Sequence, residues 1–169
     1  MMLHLIAHYG IRPGEIASLT LDSIDWEAKT ILVLQSKTNS SLVLPLSDRT
    51  VQLLKRYLRV GRRTTNHQEL FLCAYPPVRP INNAAIAQVF KARARMSGLP
   101  ITHATTYWLR HSFAMRLLQR GVGIKLIGDL MGHNSIVSTS IYMRLHTDML
   151  RDVALPVPVE AGAAAGGGA

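Results

Sequence analysis

Hydrophobic positions along this chain follow two periods, and the switches between them lay out its elements. Met2, Leu3, Leu5, Ile6 and Tyr9 recur at helical spacing, and Gly10 ends that helix. Pro13 suits the first position of a second, short helix that runs to residue 18. Residues 21–26 read as a loop that packs Ile24 and Trp26. The period then shortens. Residues 30–35 and 41–46 are β-rich runs around Ser36-Lys37-Thr38-Asn39-Ser40, which predicts a hairpin with Lys37 near its tip. Over residues 48–60 the helical period returns, with Leu53, Leu54, Tyr57 and Leu58 on one face and Lys55, Arg56 and Arg59 on the other. Residues 61–68 form a basic loop, residues 69–73 a short third strand, and residues 75–80 a Pro-rich connection. Asn82 or Asn83 caps a helix over residues 84–96 carried by Ile86, Val89 and Phe90.

The chain is organised around residues 107–142. Leu109, Phe113 and Leu117 repeat at i, i+4, i+8, so an amphipathic helix starts near Trp108. Arg110 lies beside that apolar stripe, and its guanidinium is expected at the margin of the core. Ile124, Ile127 and Met131 mark another helix, with Gly132 at its left-handed C-terminal cap and His133 directly after it. Asn134 or Ser135 caps a third helix that carries Tyr142. An arginine, a histidine and a tyrosine at three such boundaries are the groups needed to hold a phosphate and attack it. A last short helix is expected over residues 147–153, and the Pro-, Ala- and Gly-rich residues from 155 onward are expected to be disordered.

Composition narrows the classes. A chain of 169 residues suggests one domain, and no apolar run reaches the roughly 18 residues that a membrane span requires. The start of the chain lacks a signal-peptide pattern. A single cysteine, Cys73, excludes an internal disulfide and fits a reducing, cytoplasmic setting. The formal net charge is +9, and residues 47–120 hold 13 Lys and Arg against Asp48 and Glu69 alone. That asymmetry points to a polyanionic partner, nucleic acid first and an acidic membrane surface second, against the plain reading of a solvated basic face. Lys91, Arg93 and Arg95 are DNA-facing candidates within it. No metal-ligand spacing or Gly-rich phosphate loop occurs, and no cofactor or small-molecule substrate is expected.

Leu109-Arg110-His111-Ser112-Phe113-Ala114, then Leu130-Met131-Gly132-His133, then Tyr142 nine residues after that His, resemble the C-terminal signature of the tyrosine recombinases, the phage-integrase family. Gly10-Ile11-Arg12-Pro13-Gly14-Glu15-Ile16 resembles the family's first arginine box, and Ser36-Lys37-Thr38 its β-hairpin lysine. One position departs: the family usually has His three residues before the second arginine, and here Tyr107 stands there. The resemblance implies an α+β, mostly helical catalytic domain with a small three-stranded antiparallel sheet, over residues 1–154. It also implies that a further helix and a separate DNA-binding domain precede this region in the family, so a truncated front end is expected.

The implied chemistry is DNA transesterification. Tyr142 attacks phosphorus to give a 3′-phosphotyrosyl link and a 5′-hydroxyl, conserving bond energy for rejoining. Arg12 and Arg110 hold the non-bridging oxygens with forked hydrogen bonds. Lys37 protonates the departing 5′-oxygen, and His133 donates to the phosphate or orients Tyr142. At the departing position three readings stay open: Tyr107 as hydrogen-bond donor, His103 as a substitute, or no replacement. His111 is expected to be structural; Glu15 could pair with Arg12 or with nearby backbone, and the structural role of a first-turn acid favoured by the helix dipole is preferred. The implied partner is double-stranded DNA, with a homo-oligomer, a tetrameric synapse in the family, assembled on it. A catalytically weak DNA-binding remnant is the alternative. A type IB topoisomerase shares the chemistry, but the compact Leu130-Met131-Gly132-His133 box looks more like a recombinase.

Overall fold

The computed structural model describes residues 1–35, 40–98 and 105–132. Six α-helices and three strands occur among them: α1 (Met2–Tyr9), α2 (Pro13–Ser18), β1 (Ile24–Asp25), β2 (Thr30–Gln35), β3 (Ser40–Pro45), α3 (Asp48–Arg56), α4 (Asn83–Met96), α5 (Thr106–Gln119) and α6 (Ile124–Leu130). The boundaries have local causes. Gly10 closes α1 at φ 65°, a left-handed conformation that costs glycine little. Pro13 opens α2 at a position whose N–H needs no helical partner. Ser47 caps α3 by accepting from Thr50 N at 3.3 Å, and Asn82 caps α4 by accepting from Ala85 N at 2.9 Å.

The strands form one antiparallel sheet in the order β1-β2-β3, with Leu32 opposite Val43 and Gln35 opposite Ser40. Alternation along β2 sends Ile31, Val33 and Gln35 inward and leaves Leu32 and Leu34 outside. The inner face packs with Leu5 and Ile6 of α1, Ile16 of α2, Leu54 of α3, Phe71 and Ile86 into the main core. A second core of Ala114, Leu118, Ile127 and Met131 joins α5 to α6.

Three expectations need correction. The third strand of the sheet is β1, not residues 69–73, which make only single bridges at Thr20–Glu69 and Leu72–Pro80. The returning segment is Pro-rich, and Pro80 has no N–H to extend a ladder. Trp26 does not pack into the core. It is 36% exposed, with the Lys55 ammonium 5.8 Å from its ring centre. The helix over residues 48–60 is regular only to Arg56, and Tyr57–Gly61 is a wider turn that closes through Arg62 N donating to Tyr57 O at 2.8 Å. The final helix expected over residues 147–153 and the tail from residue 155 lie outside the described residues. Among those described, no helix is long and apolar enough to cross a membrane.

Candidate active site

Arg12 stands at the N-terminal boundary of α2, where the fixed φ of Pro13 starts the helix and the backbone of Arg12 itself stays extended. Glu15, one turn on, reaches back with both oxygens. Its Oε2 accepts from the Arg12 backbone N at 2.8 Å, and its Oε1 accepts from Arg12 Nη1 at 2.7 Å. Glu15 is 4% exposed; it is the first-turn acid expected from sequence, and it also pairs with Arg12 and its backbone. The other arm of the guanidinium, Nη2, donates to the carbonyl of Gly132 at 2.5 Å.

Arg110 is not at the margin of the core. Thr106, Arg110, Ala114 and Leu118 form the most buried line of α5, flanked by the half-buried Leu109, Phe113 and Leu117. The apolar repeat therefore marks one side of the buried face, and the arginine sits at its centre. A charge can lie there because it finds acceptors. Nη1 donates to Gly10 O and Nη2 to Met131 O, carbonyls at the C-terminal ends of α1 and α6. Helix C-termini leave carbonyls without intrahelical donors and carry the negative end of the helix dipole. One guanidinium thus pins two helix ends together. Gly10 suits the junction, because a Cβ on it would lie 2.5 Å from the Phe113 ring.

The C-terminal end of α6 completes the arrangement. Gly132 is left-handed, φ 56°, as the sequence predicts. Its surroundings add a second constraint: a Cβ there would lie 2.6 Å from Gln35 Oε1 and 2.9 Å from Arg12 Nη1. The start of α2, the end of β2 and the end of α6 therefore meet at Gly132. His133 follows it in the chain. His133, Lys37, Tyr142 and the alternative His103 all lie outside the described residues. Of the catalytic candidates, the structure brings Arg12 and Arg110 to one junction, through the successive carbonyls of Gly132 and Met131. Sequence reasoning missed Gln35. The strict alternation of β2 was the available signal, since it puts a polar side chain, 5% exposed, in line with Ile31 and Val33.

Tyr107 is 56% exposed on the second residue of α5, one turn before Arg110. Its ring stacks on His111, with centroids 6.0 Å apart and planes at 20°. Lys91, Arg93 and Arg95 are all exposed on α4, but they do not share a face. Lys91 and Arg95 are one turn apart, whereas Arg93 is rotated by about 200°. The amino group of Met1 is held below its ordinary pKa by burial and then by the nearby charge of Arg93. Among the described residues, no group of three or more His, Cys, Asp or Glu side chains is placed to hold a metal ion.

Two arginines are fixed at the meeting point of three helix ends, the chemistry that forked recognition of a phosphate-class oxygen ligand draws on. The model of the Phage integrase family matches residues 1–149. Protein y4gC of Sinorhizobium fredii, which carries an integrase/recombinase name, is 38% identical over 158 residues, covering 93% of this chain and 81% of that protein. Tyrosine recombinase XerD of Mycobacterium leprae is 31% identical over 90% of this chain, which spans 49% of XerD. In fold, the crystal structure of the XerA recombinase superposes with a TM-score of 0.74 at 25% identity, over 88% of this chain and 54% of that one. The XerH recombinase, in a post-cleavage complex with its difH substrate, superposes with a TM-score of 0.73 at 22% identity over 90% of this chain and 43% of that one. The chain belongs to the phage integrase family, whose tyrosine recombinases are DNA strand-transfer enzymes, and it has the fold of their catalytic domain.

Proposed function

We propose that this domain, over residues 1–154, cuts and rejoins double-stranded DNA by site-specific recombination through a covalent tyrosine intermediate. Tyr142 is the nucleophile. Its oxygen forms a bond to phosphorus as the bond to the 5′-oxygen breaks, leaving a 3′-phosphotyrosyl link. Lys37 gives a proton to the departing 5′-oxygen. Arg12 and Arg110 bind the non-bridging oxygens and stabilise the charge that builds on them in the transition state. His133 adds a donor or orients Tyr142, and Tyr107 donates a hydrogen bond from the position where the family usually has His. Lys91 and Arg95, one turn apart on α4, contact the DNA backbone away from the reacting phosphate, which positions the duplex without reading its sequence. The protein acts as a homo-oligomer on DNA, in the cytoplasm.

The observation that carries this reading is the convergence of Arg12 and Arg110 on the carbonyls of Gly132 and Met131, the two residues just before His133. Phosphoryl transfer without a resident metal requires fixed positive charge at the phosphate, and two arginines held from behind supply it. The test is trapping on a nicked suicide duplex. Wild type gives a covalent protein–DNA band, and Tyr142→Phe gives none while retaining DNA noncovalently. A band of undiminished strength in that variant rules Tyr142 out as the nucleophile.

A further inference from the structure

The C-terminal end of α1 is held from α5 at two points, and only one of them involves a proposed phosphate ligand. Arg110 donates to Gly10 O from within the core. Arg116, exposed on the same helix, donates from Nη2 to Ala7 O. Ala7 lies in the last turn of α1, where carbonyls run short of intrahelical donors and carry the negative end of the helix dipole. Arg110, Phe113 and Arg116 are spaced i, i+3, i+6, so they form one slanting row on α5. The row meets α1 in reverse order: Arg110 at Gly10, Phe113 against Gly10, and Arg116 at Ala7. The two helices therefore run antiparallel here, and the row follows the last turn of α1. Two residues past Gly10 the chain reaches Arg12, whose backbone N donates to Glu15 Oε2 at 2.8 Å.

We infer that Arg116 is a positioning residue for Arg12 and Arg110: it fixes the direction of α1, and through α1 the places of Gly10 and Arg12. The inference rests on the reading of those two arginines as phosphate ligands. A bond at Gly10 O alone is a pivot point for α1. A second bond about one turn back, from the same partner helix, fixes the angle about that point. Without it, a swing of α1 carries Gly10 O off Arg110 and takes Arg12, two residues on, with it. Arginine suits the position. From an exposed place on α5 only a long side chain spans to a carbonyl of the neighbouring helix, and a guanidinium keeps its charge at any working pH and complements a helix C-terminus.

The experiment is single-turnover cleavage of the suicide duplex over a range of DNA concentrations, at a temperature well below the thermal midpoint of each variant. Arg116→Met cleaves roughly fivefold slower at saturating DNA, the worth of about one hydrogen bond, while the half-saturating concentration moves by less than about twofold. Arg116→Lys, which still brings a charged donor to the carbonyl, comes within about twofold of the wild-type rate. A higher half-saturating concentration with an unchanged saturated rate means that Arg116 is a surface cation for the DNA backbone, and overturns the inference. A lower thermal midpoint with an unchanged saturated rate means that its bond serves only the fold, and overturns it too. A second readout needs no DNA. In ¹⁵N spectra of the full chain, the backbone amide signals of Gly10 and Arg12 shift in Arg116→Met and return toward wild type in Arg116→Lys. Unmoved Gly10 and Arg12 signals overturn the inference whatever the cleavage result. A wild-type chain that makes no Tyr142-linked product sinks the proposed function instead, and the Gly10 and Arg12 signals then still decide the role of Arg116.

Discussion

Arg110 does two jobs that a single substitution cannot separate. Its guanidinium bonds Gly10 O and Met131 O from within the core, so removing it strands two carbonyls as well as taking away the proposed contact to the phosphate. Arg110→Met should lose roughly 2–4 kcal/mol of stability, one desolvation penalty for each abandoned acceptor. A urea titration reads this directly, and an unchanged midpoint would show that the carbonyls find other donors. Loss of cleavage in an Arg110 variant is therefore evidence about catalysis only beside its unfolding curve. Tyr107 is the opposite case. It is more than half exposed and its ring rests on His111, so little of the fold depends on its hydroxyl. Tyr107→Phe should keep the stacking and slow cleavage roughly tenfold, about one lost hydrogen bond. Equal single-turnover rates for Phe and wild type would leave the ring with a packing role alone.

Among the elements, those the sequence made legible share one property: periodic apolar spacing bounded by residues with a known terminal preference. Gly10, Pro13, Asn82 and Gly132 each ended or began a helix where their conformational preferences place them. What stayed illegible was set by contacts distant in sequence. Arg110 was put at the core margin because periodicity counts apolar residues, and a buried charge reveals itself only through carbonyls contributed about 100 and 20 residues away. Residues 69–73 carry a strand-like composition, but Pro80 gives their neighbour too few donors for a ladder. Gln35 read as the last residue of a predicted strand, and its inward face shows only in the burial pattern of β2. The packing of α1 on α3 has a titratable contact of the same hidden kind. His4 Nε2 lies 2.9 Å from Thr50 Oγ1, which also accepts from Tyr9 OH at 2.9 Å, and the His4 ring stacks on His8 with centroids 4.1 Å apart. Burial first, then the positive fields of His8, the Met1 amino group and Arg49, lower the His4 pKa below its ordinary value of 6.5. The unfolded chain then takes up this proton before the folded one does. The His4 contribution is therefore whole above about pH 6.5 and is lost as pH falls from there toward the depressed folded value. Thermal midpoints of wild type should drop between neutral and mildly acidic pH more than those of His4→Gln. Parallel curves would remove His4 from the account.

At the scale of the whole molecule, the basic excess of residues 47–120 acts on any duplex, since phosphates are the same in every sequence. Binding to unrelated duplexes should fall in the non-specific range of about 10⁻⁴ to 10⁻⁶ M at physiological salt, and weaken steeply as salt rises. Titrations of several duplexes at two ionic strengths check this. Nanomolar, salt-insensitive binding to one of them would show instead that the domain reads bases on its own. The architecture also has a consequence for how the chain is made. Helix α1 packs on α5, with Arg116 donating to Ala7 O, Arg110 to Gly10 O, and Phe113 against Gly10. Helix α1 thus rests on one whose residues are polymerised about a hundred positions later. At elongation rates of about 5–20 residues per second, α1 waits roughly 5–20 s for that partner, its apolar side chains within reach of chaperones and proteases. Nascent chains arrested before α5 should be cut readily within residues 2–9, and chains arrested well beyond α6 should resist.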